Sequence, residues 1–169
     1  YVNLKARLLS GKVGKRDVWQ EVSVEDTVRS AGQKLRDAKA DEIAVVFTGQ
    51  YSNEEYASAF KFFREDLKVK NFFHWLNNPD KVNEFDGLLF RGDRNPNTKG
   101  LETAFGANGG KGNWESLQSS LASRKFKTVV VFGPEDQSVF PELNKKIKLL
   151  SQSENLIWLT ACSNKSLDN

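Results

Sequence analysis

Short uninterrupted apolar runs recur along the chain, and most are separated by segments in which apolar residues return every three or four positions. The runs are typical of strands buried on both faces of a sheet, and the wider spacing is typical of amphipathic helices. Five runs predict strands: EIAVVFTG, VKNFFHW, DGLLFRG, TVVVFGPED and NLIWLTA. Since helices separate most of them, we expect an α/β fold, with a Rossmann-like, doubly wound, mainly parallel five-stranded sheet and helices on both faces.

The predicted helices begin at residues that commonly cap helices. Ser23 precedes a helix over 24–38, and Ser52 with Glu55 forms a capping box that opens a helix to about Leu67. Asn113 precedes a helix over 114–124, and further helical segments are expected over 101–105 and 140–150. In the second helix, four aromatic residues are interpreted as core: Tyr56, Phe60, Phe62 and Phe63.

Two parts of the chain differ in their patterning. Residues 1–22 show no clean period, and we interpret them as an extended lead-in from a preceding domain. Residues 23–169 are predicted to form the α/β domain. Because the chain begins at Tyr1 and contains no methionine, we interpret it as a fragment of a longer protein.

Composition narrows the class of protein. Hydrophobic residues make up 38% and charged residues 28%, and 25 basic against 22 acidic residues give a net charge of +3. Basic residues are frequent near the start, at Lys5, Arg7, Lys12, Lys15 and Arg16, but no nucleic-acid-binding motif accompanies them, so we expect no nucleic-acid partner. No apolar run approaches the roughly 20 residues of a membrane span, and no signal-peptide pattern is present. We therefore expect a cytoplasmic location and no direct insertion into a membrane.

Candidate binding residues follow two of the predicted strands. In α/β folds, ligands bind in loops at the carboxyl ends of strands. The turn after EIAVVFTG and the polar turn after DGLLFRG therefore predict a cofactor site. Its candidate residues are Thr48, Gly49, Gln50, Gly92, Asp93, Asn95, Pro96 and Asn97.

Other motifs predict no chemistry. The glycine-rich GANGGKGN lacks the spacing of a phosphate-binding loop and is interpreted as a flexible surface loop, and DRNPNTKGLETA lacks the glycine and glutamate of a calcium loop. His74 is interpreted as a partly buried histidine, Cys162 as a structural thiol near a strand end, and Glu135 with Asp136 as a solvated turn. One cysteine excludes an internal disulfide. We predict no catalytic and no metal-binding residues.

Three segments taken together carry a family resemblance. VSVEDTVRSAGQKL, IAVVFTGQYSNEEYASAFKFFRE and FDGLLFRGDRNPNTKGLETAF resemble, in this order, the molybdopterin-oxidoreductase superfamily, through Ser52-Asn53-Glu54-Glu55 at a helix start and Gly92 with Asn95-Pro96 in a later turn. Within it, the chain is most similar to the large iron–sulfur subunits of NADH-quinone oxidoreductase (respiratory complex I). Here Asp93 and Arg94 separate Gly92 from Asn95, where the family commonly has one residue.

The resemblance implies a function. Family members bind iron–sulfur clusters on cysteines that precede this region, and the respiratory branch has generally lost the molybdenum cofactor. The implied role is a structural and docking domain, not catalytic alone. Its partners would be other subunits of a respiratory complex, which would hold it peripherally at the inner membrane. A domain that binds molybdopterin guanine dinucleotide and a stand-alone nucleotide- or protein-binding module are the alternatives.

Overall fold

The computed structural model describes residues 7–15, 18–134, 140 and 142–162. Within them, an antiparallel hairpin precedes an alternation of helices and strands. The elements are β1 (Gly11–Lys15), β2 (Val18–Val22), α1 (Val24–Asp37), β3 (Ile43–Thr48), α2 (Asn53–Phe60), β4 (Asn71–Trp75), α3 (Thr98–Ala107), α4 (Trp114–Ala122), β5 (Thr128–Phe132), α5 (Leu143–Leu150) and β6 (Asn155–Leu159). The hairpin lies within the predicted lead-in over 1–22, and the division of the chain at residue 22 stays a prediction.

Four of the strands form a parallel sheet in the order β4-β3-β5-β6. Phe47 on β3 lies opposite His74 on β4 and opposite Phe132 on β5, which fixes the register at the centre of the sheet. The expected mixed α/β fold with a parallel sheet flanked by helices is confirmed. The expected count of five strands is wrong for this sheet, since it has four.

The sheet is packed on both faces because alternate residues of β3 enter two separate cores. All six residues of β3 are buried. Val45 and Phe47 belong to one core, together with residues of α1, α2 and α3, whereas Ala44 and Val46 belong to the other, with residues of α4 and α5. This double coverage explains why β3 is an uninterrupted apolar run.

The missing fifth strand is the run DGLLFRG, which forms an exposed loop. The Asp86 carboxylate accepts hydrogen bonds from the backbone N–H groups of Leu88, Leu89 and Phe90, at 2.8, 2.9 and 3.0 Å. Phe85 and Arg91 then pair across the base of the loop. Because a side chain satisfies these donors locally, the segment folds back on itself and does not join the sheet.

The predicted helices form, with ends shifted by a few residues. Ser52 and Glu55 make the expected capping box: the Ser52 hydroxyl accepts from the Glu55 N–H at 3.2 Å, and the Glu55 carboxylate accepts from the Ser52 N–H at 2.7 Å. A π-helical segment, Lys61–Asp66, continues α2. The placement of Phe62 in the core is wrong, since 42% of it is exposed. Phe62 lies off the face that the four- and three-residue spacing of Tyr56, Phe60 and Phe63 defines.

Candidate functional site

The candidate residues lie at the carboxyl edge of the sheet, where β3 and β4 end. Thr48 is the last residue of β3, and Gly49 and Gln50 follow it. Asn77 follows β4, and the turn over 92–97 leads into α3. The structure joins the two predicted loops through contacts of Gly49 with Asn95 and Asn97. The structure therefore brings the two predicted loops together, and the binding of a cofactor by them stays a prediction.

Thr48 connects neighbouring strands. Its hydroxyl donates a 2.9 Å hydrogen bond to the Phe132 carbonyl at the end of β5, and its own carbonyl accepts a 2.7 Å bond from the Tyr56 hydroxyl. Thr48 is fully buried. Since both of its polar oxygens are engaged with the protein, Thr48 stabilises the strand ends and presents no group for a ligand.

Tyr51, which the sequence did not single out as a site residue, covers the ends of β5 and β6. Its hydroxyl lies 3.0 Å from the Leu159 carbonyl and 3.4 Å from the Gly133 carbonyl. Its ring packs edge-on against Phe132, with 5.5 Å between ring centroids. The only available signal was an aromatic residue two positions after the glycine that ends the strand. Tyr51 thus fills space in which an α/β protein commonly holds a ligand.

Asn95 is the centre of the polar turn. Its side-chain oxygen accepts from the Asn77 N–H at 2.8 Å, and its side-chain nitrogen donates to the Asn77 carbonyl at 3.0 Å and to Asp93 at 2.8 Å. Only 9% of Asn95 is exposed. A Cβ atom at Gly49 would approach the Asn95 Cβ to 2.7 Å, so the two turns touch.

The Asp93 carboxylate organises the same turn. It accepts hydrogen bonds from the Asn95 N–H at 2.9 Å and from the Thr98 hydroxyl at 2.9 Å, in addition to the Asn95 side chain. Partial burial alone would raise the pKa of Asp93, but these hydrogen bonds stabilise the charged form and the pKa is lowered overall. Asp93 is therefore an ionised structural acceptor at neutral pH.

Asn97 joins the turn to α2 and α3. Its side-chain oxygen caps α3 by accepting from the Gly100 N–H at 3.0 Å, while its side-chain nitrogen donates to the Tyr51 carbonyl at 2.9 Å and to Asn53 at 3.0 Å. Its backbone N–H donates to the Gly49 carbonyl at 2.8 Å. Every hydrogen-bonding group of the Asn97 side chain is thus occupied by the protein.

Three predicted residues remain, Gly92, Pro96 and Gln50, and Asn77, which was not predicted, shares a feature with Gln50. Gly92 lacks room for a side chain, because a Cβ atom would lie 2.1 Å from the Lys81 carbonyl oxygen, and Pro96 is exposed. The side-chain oxygens of Gln50 and Asn77 are buried and accept no hydrogen bond within the described part of the chain. These two oxygens are the acceptors that a ligand at this edge would find available.

Lys146 and three tryptophans form a further cluster that sequence reasoning missed. The Lys146 ammonium lies 5.0 Å from the Trp75 ring centroid and 4.7 Å from that of Trp114. Burial lowers the pKa of Lys146. The indole N–H groups of Trp75 and Trp158 are buried and find no hydrogen-bond partner among the residues that the structure describes. The contacts hold Lys146 by cation–π attraction and provide no acid–base pair.

The isolated titratable candidates fit structural roles. His74 is half-buried with its ring edge-on to Phe105, and burial lowers its pKa. Cys162 is buried just after β6, as a structural thiol would be. Among the described residues, no group of three or more His, Cys, Asp or Glu side chains could hold a metal ion. Glu135 and Asp136 lie outside the described residues.

The glycine-rich loop over 106–113 lies at the surface, as we expected, and its residue Gly112 packs against β4. Gly112 accepts a 3.0 Å hydrogen bond from the His74 N–H and donates a 3.3 Å bond to the Phe72 carbonyl. A Cβ atom at Gly112 would lie 2.3 Å from the Phe73 ring. Glycine is therefore required at residue 112 by close packing against β4.

Comparison with models of known protein families, with characterised proteins and with solved structures finds no match to this chain. None of the helices in residues 7–15, 18–134, 140 and 142–162 is both long and apolar enough to cross a membrane.

Proposed function

We propose that this α/β domain is a structural and docking domain within an electron-transferring subunit of an NADH-quinone oxidoreductase. The observation that carries the proposal is the closed carboxyl edge of the sheet, where Tyr51, Asn95 and Asn97 hydrogen-bond to the protein itself. An edge filled in this way fits a domain that has kept the fold of a cofactor-binding protein without the cofactor. The assignment to this family is supported by the three sequence segments that resemble the molybdopterin-oxidoreductase superfamily.

The proposal includes features of the whole protein. The fold is a four-stranded variant of a doubly wound arrangement, which the strand order β4-β3-β5-β6 supports because the chain moves from β3 first to one side and then to the other. Iron–sulfur clusters are carried by cysteines elsewhere in the full-length subunit, and this domain takes no part in catalysis alone. Partner subunits hold the protein on the cytoplasmic side of the inner membrane.

Isolation of the tagged full-length protein from its own cells in mild detergent tests the proposal. We expect it to co-purify with NADH-oxidising, quinone-reducing activity and with iron. Isolation without iron and without other subunits would contradict the proposal. Tagging an abundant unrelated cytoplasmic protein in the same cells provides the control for non-specific association.

The second candidate function is binding of a molybdopterin guanine dinucleotide. The unpartnered side-chain oxygens of Gln50 and Asn77 favour it, because a buried acceptor without a hydrogen bond is unfavourable unless a ligand or water satisfies it. Titration calorimetry with GDP on the full chain separates the two functions. The docking domain gives no saturable heat, whereas micromolar binding that is lost in Gln50→Ala would establish the nucleotide site.

A further inference from the structure

Four large apolar side chains project from the loop that replaces the predicted third strand. We call Phe85, Leu88, Leu89 and Phe90 the apolar tip. Their exposed fractions are 54%, 79%, 86% and 46% in that order. A soluble domain rarely leaves such a cluster in contact with water without a function, because its exposure is unfavourable and promotes association. The apolar tip is therefore a candidate interaction surface.

The apolar tip is held in one conformation before anything binds to it. The Asp86 carboxylate accepts three successive backbone N–H groups, and the Gly92 N–H donates a 2.9 Å hydrogen bond to the Glu84 carbonyl at the base. A loop that is already ordered loses less conformational entropy on binding than a flexible one. Its geometry suits insertion into a complementary recess.

The charges beside the apolar tip indicate what would surround that recess. The Arg91 guanidinium lies 4.9 Å from the Phe85 ring centroid, and the Arg94 guanidinium lies 5.5 Å from that of Phe90. Among the described residues, neither arginine forms an ion pair. Asp86 and Asp93 keep their negative charge but accept hydrogen bonds from donors within the loop, whereas the guanidinium groups of Arg91 and Arg94 have N–H donors left for a partner. Aromatic residues, including phenylalanine, and arginine are also enriched at protein–protein interfaces.

We propose that the apolar tip inserts into an apolar recess of a neighbouring protein subunit, and that carboxylates at the rim of this recess pair with Arg91 and Arg94. This inference rests on the proposed docking function and names the surface and the chemistry of its partner. A lipid bilayer fits less well. Hydrogen bonds from Leu88, Phe90 and Leu89 lower the pKa of Asp86, so the apolar tip carries an ionised carboxylate. Hydrocarbon offers this group no hydrogen-bond donor, whereas a protein recess can place a donor beside it.

Site-specific photo-crosslinking in the full-length protein, expressed in its own cells, tests the inference. A benzophenone amino acid replaces Leu89, and a control carries it at Lys61, an exposed residue of the π-helical segment. We expect the probe at residue 89 to join one peptide of another protein, in which apolar residues are flanked by Asp or Glu. Attachment to lipid, to a second copy of this chain, to another part of the same chain, or to nothing would overturn the proposal.

A charge-reversal series tests the role of the arginines. In the chain that carries the probe at residue 89, Arg91→Glu with Arg94→Glu is expected to reduce the crosslink yield by about tenfold or more. Changing the carboxylates of the mapped peptide to lysine should restore it. Lys99→Glu, at an exposed residue of α3, is the matched control and should leave the yield unchanged. Because all three side chains are exposed, the unfolding temperatures of the variants should agree. Equal yields from the Arg91/Arg94 variant and its parent would refute the arginine pairing.

The outcomes separate this inference from the proposed function. If the probe at residue 89 reaches an acid-rimmed recess on a protein that belongs to no oxidoreductase, the inference stands and the proposed function fails. If the protein co-purifies with oxidoreductase activity and iron but residue 89 crosslinks to nothing, the proposed function stands and the apolar tip is not its docking surface.

Discussion

Two apolar runs of this chain look alike in sequence and have opposite environments. IAVVFT forms β3, with every residue buried between two neighbouring strands and two helical layers. DGLLFRG forms a surface loop in which Leu89 is among the most exposed large hydrophobic residues described. The difference lies at the start of each run: Asp86 satisfies three backbone donors of its own segment, whereas β3 can satisfy its donors only by pairing with other strands. An apolar run thus predicts burial only where no nearby side chain replaces the sheet hydrogen bonds.

The largest expected contrast comes from truncating one side chain in each run. Phe47 is fully buried and contacts the rings of Tyr56, Phe60, Phe72 and Phe132, so Phe47→Ala should lower the free energy of unfolding by about 3–5 kcal/mol. Leu89→Ala should change it by no more than about 0.5 kcal/mol. Urea denaturation followed by circular dichroism measures both. A loss of about 2 kcal/mol or more in Leu89→Ala would show that the loop is packed.

A smaller loss of stability is expected in the turn over 92–97, which packs against Gly49 just after β3. Asn95→Ala removes the partners of the Asn77 N–H and carbonyl, and the cost of leaving buried polar groups unpaired is about 1–3 kcal/mol. The matched control is Asn83→Ala at an exposed position near the apolar tip, where we expect a change within about 0.5 kcal/mol. Thermal unfolding of both variants gives the comparison. Similar values would contradict the structural role of Asn95.

Much of the fold could be predicted because the physical signals are local. β3 and β5 are short, uninterrupted apolar runs, a pattern typical of strands that are buried on both faces. Ser52 and Glu55 form a capping box whose two hydrogen bonds lie within four residues of sequence. The failure at DGLLFRG has an equally physical cause. The backbone N–H groups of Leu88, Leu89 and Phe90 could donate to a neighbouring strand or to the Asp86 carboxylate, and the hydrophobic pattern does not indicate which acceptor they bind.

The structure brings several of the predicted site residues together, but their contacts were not predictable from the sequence, and their binding of a cofactor stays a prediction. The end of β3 places Thr48 and Gly49 at this edge. Asn95 and Asn97 reach it through hydrogen bonds with Asn77 and Gly49, because the run before them forms a loop and not a strand. Sequence alone does not show that Asn95 turns inward to Asn77, 18 residues away, instead of outward to a ligand. The position of Tyr51 in the sequence also does not predict that its hydroxyl donates to the carbonyl of Leu159, 108 residues away.

High pH should lower the free energy of unfolding through Tyr56, which packs at the end of the buried strand β3. Burial raises the pKa of Tyr56 to about 12 from its usual 10.0, and its hydroxyl donates to Thr48 at the end of β3. The unfolded chain therefore loses this proton first as the pH rises. The stabilisation is complete below pH 10.0 and decreases as the pH rises through about 12. Urea denaturation at a series of pH values should show this decrease, and Tyr56→Phe should reduce its slope. An unchanged slope in Tyr56→Phe would exclude Tyr56 as its source.

The smallest effect is expected at Asp86, where the exposed run is organised. Hydrogen bonds from Leu88, Phe90 and Leu89 lower the pKa of this carboxyl below its usual 3.8. The order that it gives the loop is thus present above pH 3.8 and is lost as the pH falls through the lowered value. In NMR spectra, the amide signals of residues 88–90 should titrate together with a midpoint below 3.8, and Asp86→Asn should abolish this titration. Because the loop lies on the surface, Asp86→Ala should leave the urea midpoint of unfolding at neutral pH close to that of the parent. A midpoint at or above 3.8, or separate midpoints for the three amides, would mean that Asp86 does not hold the apolar tip, and the contrast between the two runs would then need another cause.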